Sequence, residues 1–219
     1  MKVNLMPKLL QVITIVFLVL LTGCVLGRRT VDLPIQSIPA GTEEKGEIFI
    51  GKIDDNRSFQ NSPSDPSTPS IDGDVHSLTE TQKGLMIGRQ RGGFGNAAGD
   101  VALPAQDSVV TRTRRLLEEG FKKRGYSIAS DSNVPNSATA TINQFWGWFT
   151  PGFWTITFEA RIDCTITLTK PDGPKSIAVQ GWGRVQGQVA SDANWQLAYQ
   201  RAFQDFLSKL DSQLARAGY

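Results

Sequence analysis

The sequence predicts an α+β fold in two layers, an antiparallel β-meander with two amphipathic helices packed on one of its faces. Three observations predict it. From Trp154 to Leu168 the even positions read Trp, Ile, Phe, Ala, Ile, Cys, Ile, Leu, and the odd positions read Thr, Thr, Glu, Arg, Asp, Thr, Thr. Such alternation marks a sheet with one buried face. Val109, Thr113, Leu116, Leu117, Gly120 and Phe121 share one helical face. Trp195, Ala198, Tyr199, Ala202, Phe203, Phe206, Leu207, Leu210 and Leu214 form a second stripe at helical spacing. Composition agrees: 219 residues, 40% hydrophobic and 20% charged, suit one packed core rather than a disordered chain.

The N-terminus carries an address. Lys2 and Lys8 form a short basic region, and Leu9 to Leu21 is a nearly unbroken apolar run. That run matches a signal sequence and falls short of the ~20 apolar residues of a stable membrane span. Leu21-Thr22-Gly23-Cys24 follows. It resembles the bacterial lipobox, which implies cleavage before Cys24 and acylation, palmitate included, of that cysteine. Residues 1–23 are then a lipoprotein signal peptide. The alternative is an uncleaved transmembrane anchor with an incidental cysteine. By resemblance to sorted lipoproteins, Val25 after the cysteine implies the outer membrane, with the domain facing the periplasm. Several acyl chains on one residue tether far more durably than one. Losing Lys2 and Lys8 with the signal leaves 21 basic and 21 acidic residues. A net charge of zero argues against nucleic acid as a partner.

Residues 24–46 carry Pro34, Pro39 and Gly41 without helical period and read as a tether, with a short edge strand at Val31–Ile35 as an option. One α+β domain is expected over 47–219. Glu47 to Ile53 reads as a buried strand. Residues 54–104 read as a long polar and Gly-rich loop, with four serines and three prolines between Asn61 and Ser70. His76 lies in it with no nucleophile motif beside it. Gly93-Phe94-Gly95-Asn96-Ala97-Ala98 fits GxGxxA formally, but Asp100-Val101-Ala102-Leu103-Pro104 is no helix start, so a nucleotide site is not expected. Two cysteines and one histidine suggest neither a disulfide framework nor a metal site, and no cofactor is implied.

The first helix is capped by Asp107 or Ser108 and closes at Gly125, with Lys122, Lys123 and Arg124 at its negative end. Three strands follow, roughly 138–149, 153–170 and 175–189, joined by turns at Thr150-Pro151-Gly152 and Pro171-Asp172-Gly173-Pro174. The longest should contain a bend or bulge. Pairing around these turns sets Leu168 opposite Ile177, Ala160 opposite Val185, Trp148 opposite Trp154 and Trp146 opposite Ile156. All fall on one apolar face. Cys164 lies on it as a small hydrophobe. Ser191 or Asp192 caps the terminal helix.

The order of elements behind a lipobox is similar to that of the YajG-like family of bacterial lipoproteins. Ile53-Asp54-Asp55-Asn56-Arg57 and Leu117 to Tyr126, ending in Arg124-Gly125-Tyr126, carry the likeness over roughly 47–214. The resemblance supplies no catalytic residues.

Two surfaces remain as candidates. The same pairing leaves Phe145, Phe149 and Phe153 together on the face away from the helices, either a docking patch or a surface covered by the 54–104 loop. It also puts Arg161 opposite Arg184 on that face, flanked by Glu159, Asp163 and Trp182. Two opposed arginines need acids or an anion. Glu159 and Asp163 as an acid/base pair would stand four residues apart on an open strand, so catalysis is not expected. The expected function is a non-catalytic, lipid-anchored interaction or assembly module of the cell envelope, binding an envelope protein or itself. A small-ligand or glycan-binding envelope lipoprotein is the alternative.

Overall fold

The computed structural model describes residues 27–91 and 97–219. The signal segment and Cys24 lie outside the described residues, as do Gly92 and Gly93 to Asn96 of the GxGxxA stretch. Among the described residues no helix is long and apolar enough to cross a membrane.

Over the described residues the architecture is a curled, mixed eight-stranded sheet with three helices. The strands are β1 (Arg29–Thr30), β2 (Gly46–Asp55), β3 (Met86–Arg91), β4 (Ala97–Ala102), β5 (Tyr126–Ala129), β6 (Ser137–Pro151), β7 (Ile156–Lys170) and β8 (Gly173–Gly187). The helices are α1 (Glu80–Leu85), α2 (Val109–Lys123) and α3 (Asp192–Arg216). The meander β6–β7–β8 and the two long helices stand where alternation and stripe place them. The sheet is nonetheless not a purely antiparallel meander. β6 pairs along its whole length with β7, while its other edge takes β2 in the first half and β3 in the second, both parallel. β4 and the short β1 extend the β3 side, and β5 extends the β2 side.

Local chemistry fixes the helices. The Ser108 hydroxyl accepts the Thr111 N–H at 3.0 Å and starts α2. Gly125, at φ +86°, closes it, and a side chain there would strike the Glu43 carbonyl. α3 lies on a row of small residues, Gly147, Ala160 and Gly183, which are register partners across β6, β7 and β8. A Cβ on Gly147 would press the Trp195 and Tyr199 rings, and one on Gly183 would strike the α3 backbone. Phe145 stacks on Tyr199 at 5.4 Å, and Phe149 meets Trp195 at 5.9 Å.

Three expectations are corrected. The stretch 24–46 is not a free tether over its described part. Val31 and Leu33 are buried, Arg112 donates to the Leu33 carbonyl at 2.7 Å, and the Ile38 N–H donates to buried Glu119 at 2.7 Å. This strap runs along α2 and touches α3 through Gln196. The 54–104 loop contains α1, β3 and β4, and its remainder folds as a roof over the outer face of β6. The bulge is in β6, at Asn143, and not in β7.

Candidate functional site

Among the described residues the outer face of β7 and β8 is an open sheet surface. Period two puts Glu159, Arg161 and Asp163 of β7 beside Gln180, Trp182 and Arg184 of β8. The register is Glu159 with Arg184, Arg161 with Trp182, and Asp163 with Gln180. It is slid by two residues from the expected pairing, so Arg161 does not oppose Arg184. The hairpin closes over Pro171-Asp172 alone, with Lys170 opposite Gly173 at φ +119°. A slip of two preserves the faces, and the helix-side residues of both strands stay buried.

Arg161 needs no opposing anion. Its guanidinium lies 5.8 Å from the ring centre of Trp148. Asp163 accepts from the Asn143 amide at 3.1 Å and the Gln180 amide at 2.6 Å. Trp182 is 46% exposed. Its backbone N–H donates to Asp205 of α3 at 2.9 Å, and Arg201 donates to the Arg184 carbonyl at 2.5 Å, so α3 guards the free edge of β8. A shallow depression is lined by Trp182, Arg184, Val185, Gln186 and Arg201.

The aromatic patch is not assembled as expected. The bulge at Asn143 reverses facing beyond it, so Phe145 and Phe149 point under α3 and are buried. Trp146 and Trp148 turn to the outer face instead, beneath the roof. The Trp146 indole N–H donates to the Pro66 carbonyl at 3.2 Å, Gln144 donates to the Ser67 carbonyl at 2.9 Å, and Phe59 meets Trp146 edge-on. Only Phe153 of the three phenylalanines is exposed, and Trp154, expected on the helix side, is exposed beside it.

Sequence reasoning missed a buried arginine. Arg57 binds both carboxylate oxygens of Asp55 at 2.8 Å each, and donates to the carbonyls of Lys83 at 2.8 Å, Met86 at 2.6 Å and Phe145 at 2.9 Å. It ties together the end of β2, α1, the start of β3 and β6. Its signal was the Asp55-Asn56-Arg57 segment itself, and its role is structural.

The remaining reactive groups are accounted for by position. Burial, with nearby Asp163 and Asp55 adding to it, pushes the Cys164 thiol well above its ordinary range. His76 is exposed in a single 3-10 turn, Val75–Ser77. Glu159 and Asp163 are four residues apart on β7, roughly 13 Å along the backbone, with Asp163 held by the Asn143 and Gln180 amides. Among the described residues no three His, Cys, Asp or Glu side chains are grouped as metal ligands.

No family model matches the chain, and no curated protein matches it. Among solved structures it is similar to a crystal structure of an uncharacterized protein, with 8% identity, a TM-score of 0.38, and coverage of 88% of this chain and 98% of that one. It is also similar to protein XCC0632 from Xanthomonas campestris, of family DUF330, with 12% identity, a TM-score of 0.44, and coverage of 88% and 99%.

Proposed function

We propose that this chain is a non-catalytic, lipid-anchored interaction or assembly module of the bacterial cell envelope, held to the outer membrane through Cys24 with its domain in the periplasm. The finer assignment to the YajG-like lipoproteins belongs to the same proposal and rests on the Ile53–Arg57 and Leu117–Tyr126 segments. The anchor rests on the lipobox. The interaction role rests on one observation: Trp182 stands 46% exposed at the middle of a polar face that no other part of the described residues covers. A tryptophan on a surface that the core does not require, ringed by arginines, has the composition of a protein contact. The partner is an envelope protein or a second copy. The glycan or small-ligand reading has one feature in its favour, the shallow depression beside the Trp182 indole.

A photo-crosslinking residue in place of Trp182, in intact cells, tests this. The expected result is a crosslink to one discrete envelope protein, absent when the same residue replaces Lys52, exposed on β2 away from β7 and β8. A crosslink to glycan supports the second reading. No adduct from position 182 overturns both.

A further inference from the structure

The β6–β7 turn is built against the usual chemistry of turns. The Gly152 N–H donates to the Thr155 carbonyl at 2.8 Å, closing a four-residue turn with Phe153 and Trp154 at its centre. Such positions ordinarily take Gly, Pro, Asn, Asp or Ser. Here they hold two aromatic rings, 88% and 83% exposed, packed edge-to-face at 4.7 Å with no other ring contact among the described residues. Val189, also exposed at 65%, follows the end of β8, whose Gly187 pairs with Ile156 at the same end of the sheet. The fold does not need these side chains, and water disfavours them.

The chain arrives at this end. β6 runs toward the turn, β3 is parallel to β6, β4 is antiparallel to β3, and β1 is parallel to β4. β1 therefore starts from the side of the turn and runs away from it. Contacts agree independently: Arg29 donates to the Ala190 carbonyl at 2.7 Å and pairs with Asp192 at 3.1 Å, just beyond the end of β8. Gly27 lies against Gly99 near the start of β4. Cys24 precedes Gly27 by three residues, a reach of roughly 10 Å. Because the strap that follows is packed down, there is no long leash between anchor and domain.

We propose that the β6–β7 turn is a second, non-covalent membrane contact: Phe153 and Trp154 insert into the headgroup region of the bilayer that holds Cys24, so the domain stands end-on to the membrane. The inference rests on the reading of Cys24 as acylated. Tryptophan, an apolar ring with an indole N–H, favours that region of a bilayer, and Phe153 adds apolar area beside it. Arg28, 3.7 Å from the Asp100 carboxylate and about half exposed, keeps part of its guanidinium open toward anionic headgroups. An end-on stance leaves the Trp182 face upright and accessible, since Trp182 pairs with Arg161, five ladder steps from Ile156 and roughly 17 Å from the turn.

The test uses the full-length protein, processed in cells and reconstituted into phosphatidylethanolamine–phosphatidylglycerol vesicles. Some lipid is brominated near the headgroup or deep in the chain. The emission of Trp154 is the difference between wild type and Trp154→Phe, and that of Trp182 is obtained likewise from Trp182→Phe. Trp154 emission should be largely lost with shallow bromines and less with deep ones, while Trp182 emission stays unchanged. Quenching of both overturns the end-on stance. Trp154 unquenched on a chain whose Cys24 is acylated by mass spectrometry overturns the proposal and leaves the anchor standing. Trp154 unquenched by bromine but shielded from iodide means that a second copy or another protein covers the turn, which also overturns it. A mature chain without acyl groups overturns the anchor itself and the membrane contact with it.

Discussion

Trp146 and Trp182 stand in one row across the same outer face of the sheet, with Arg161 between them. Trp146 is sealed under the roof of residues 56–85, and Trp182 is half exposed. The difference is not one of face or residue type. It lies in what the chain spends its loops on. The roof satisfies the Trp146 indole N–H, docks Phe59 on its ring and encloses Ile71, Val75 and Met86. It stops at β6, leaving β7 and β8 bare. Burial of Trp146 is a demand of folding, and exposure of Trp182 leaves that residue available for contact.

The roof hangs on Arg57, so breaking that residue should erase the comparison altogether. Arg57→Met removes the donor that joins β2, α1, β3 and β6, and leaves Asp55 and three carbonyls without it. Removing one partner of a buried ion pair costs about 3–5 kcal/mol. The expected outcome is a chain that unfolds at much lower denaturant or temperature, read by circular dichroism. An unchanged melt would mean that the roof holds without its arginine.

The comparison is sharpened by truncating each tryptophan in turn. Trp146→Ala opens a cavity between roof and sheet and should lower stability by about 3 kcal/mol or more. Trp182→Ala removes an exposed ring and should stay within about 0.5 kcal/mol. Equal midpoints in guanidinium for the two variants would break the distinction between a roofed and an open face.

Much of the fold was legible, and the failures have local causes. β7 and β8 alternate cleanly, so their buried faces followed from parity even with the register slipped by two. The two long helices followed from cap candidates at 107–108 and 191–192 and from their apolar stripes, whereas α1 did not. Phe145-Trp146-Gly147-Trp148-Phe149 has no polar residue to mark the wet side, because α3 covers one side and the roof covers the other. Parity carried in from Ala138, Ala140 and Ile142 ran straight through the bulge at Asn143 and put four rings on the wrong faces. The one usable signal was Gly147: a residue without a side chain belongs where α3 comes close, which turns Trp146 and Trp148 outward. The strap and β3–β4 left no trace in periodicity, since Pro34, Pro39 and the glycines of 84–99 mask it. Their placement comes from distant partners such as Arg112, Glu119 and β6. Of the polar face, the residues were readable and the pairings were not.

The smallest effect concerns the flank of the roof, where Asp100 is buried on β4. Its carboxylate accepts the Asp72 N–H at 2.8 Å and lies 3.7 Å from Arg28, while Arg89 of β3 is its register partner. Burial pushes the Asp100 carboxyl above the ordinary aspartate value of 3.8, outweighing the Asp72 N–H and the two arginines, which pull it down. The sign follows. In the interval just above 3.8 the folded chain holds this proton more tightly than the unfolded one, so stability falls as pH rises through that interval. Above it, folding carries the cost of burying the charge. Asp100→Asn keeps an oxygen for the Asp72 N–H and removes the titration. The variant should match or slightly exceed wild type in stability at neutral pH. On acidification toward pH 4 it should lack the stabilising contribution that wild type gains from protonating this group. Denaturant melts of both proteins across that range, compared as differences, check it. A difference that does not change with pH would show that Asp100 titrates alike folded and unfolded, and that this flank of the roof is as wet as the open face of β7 and β8.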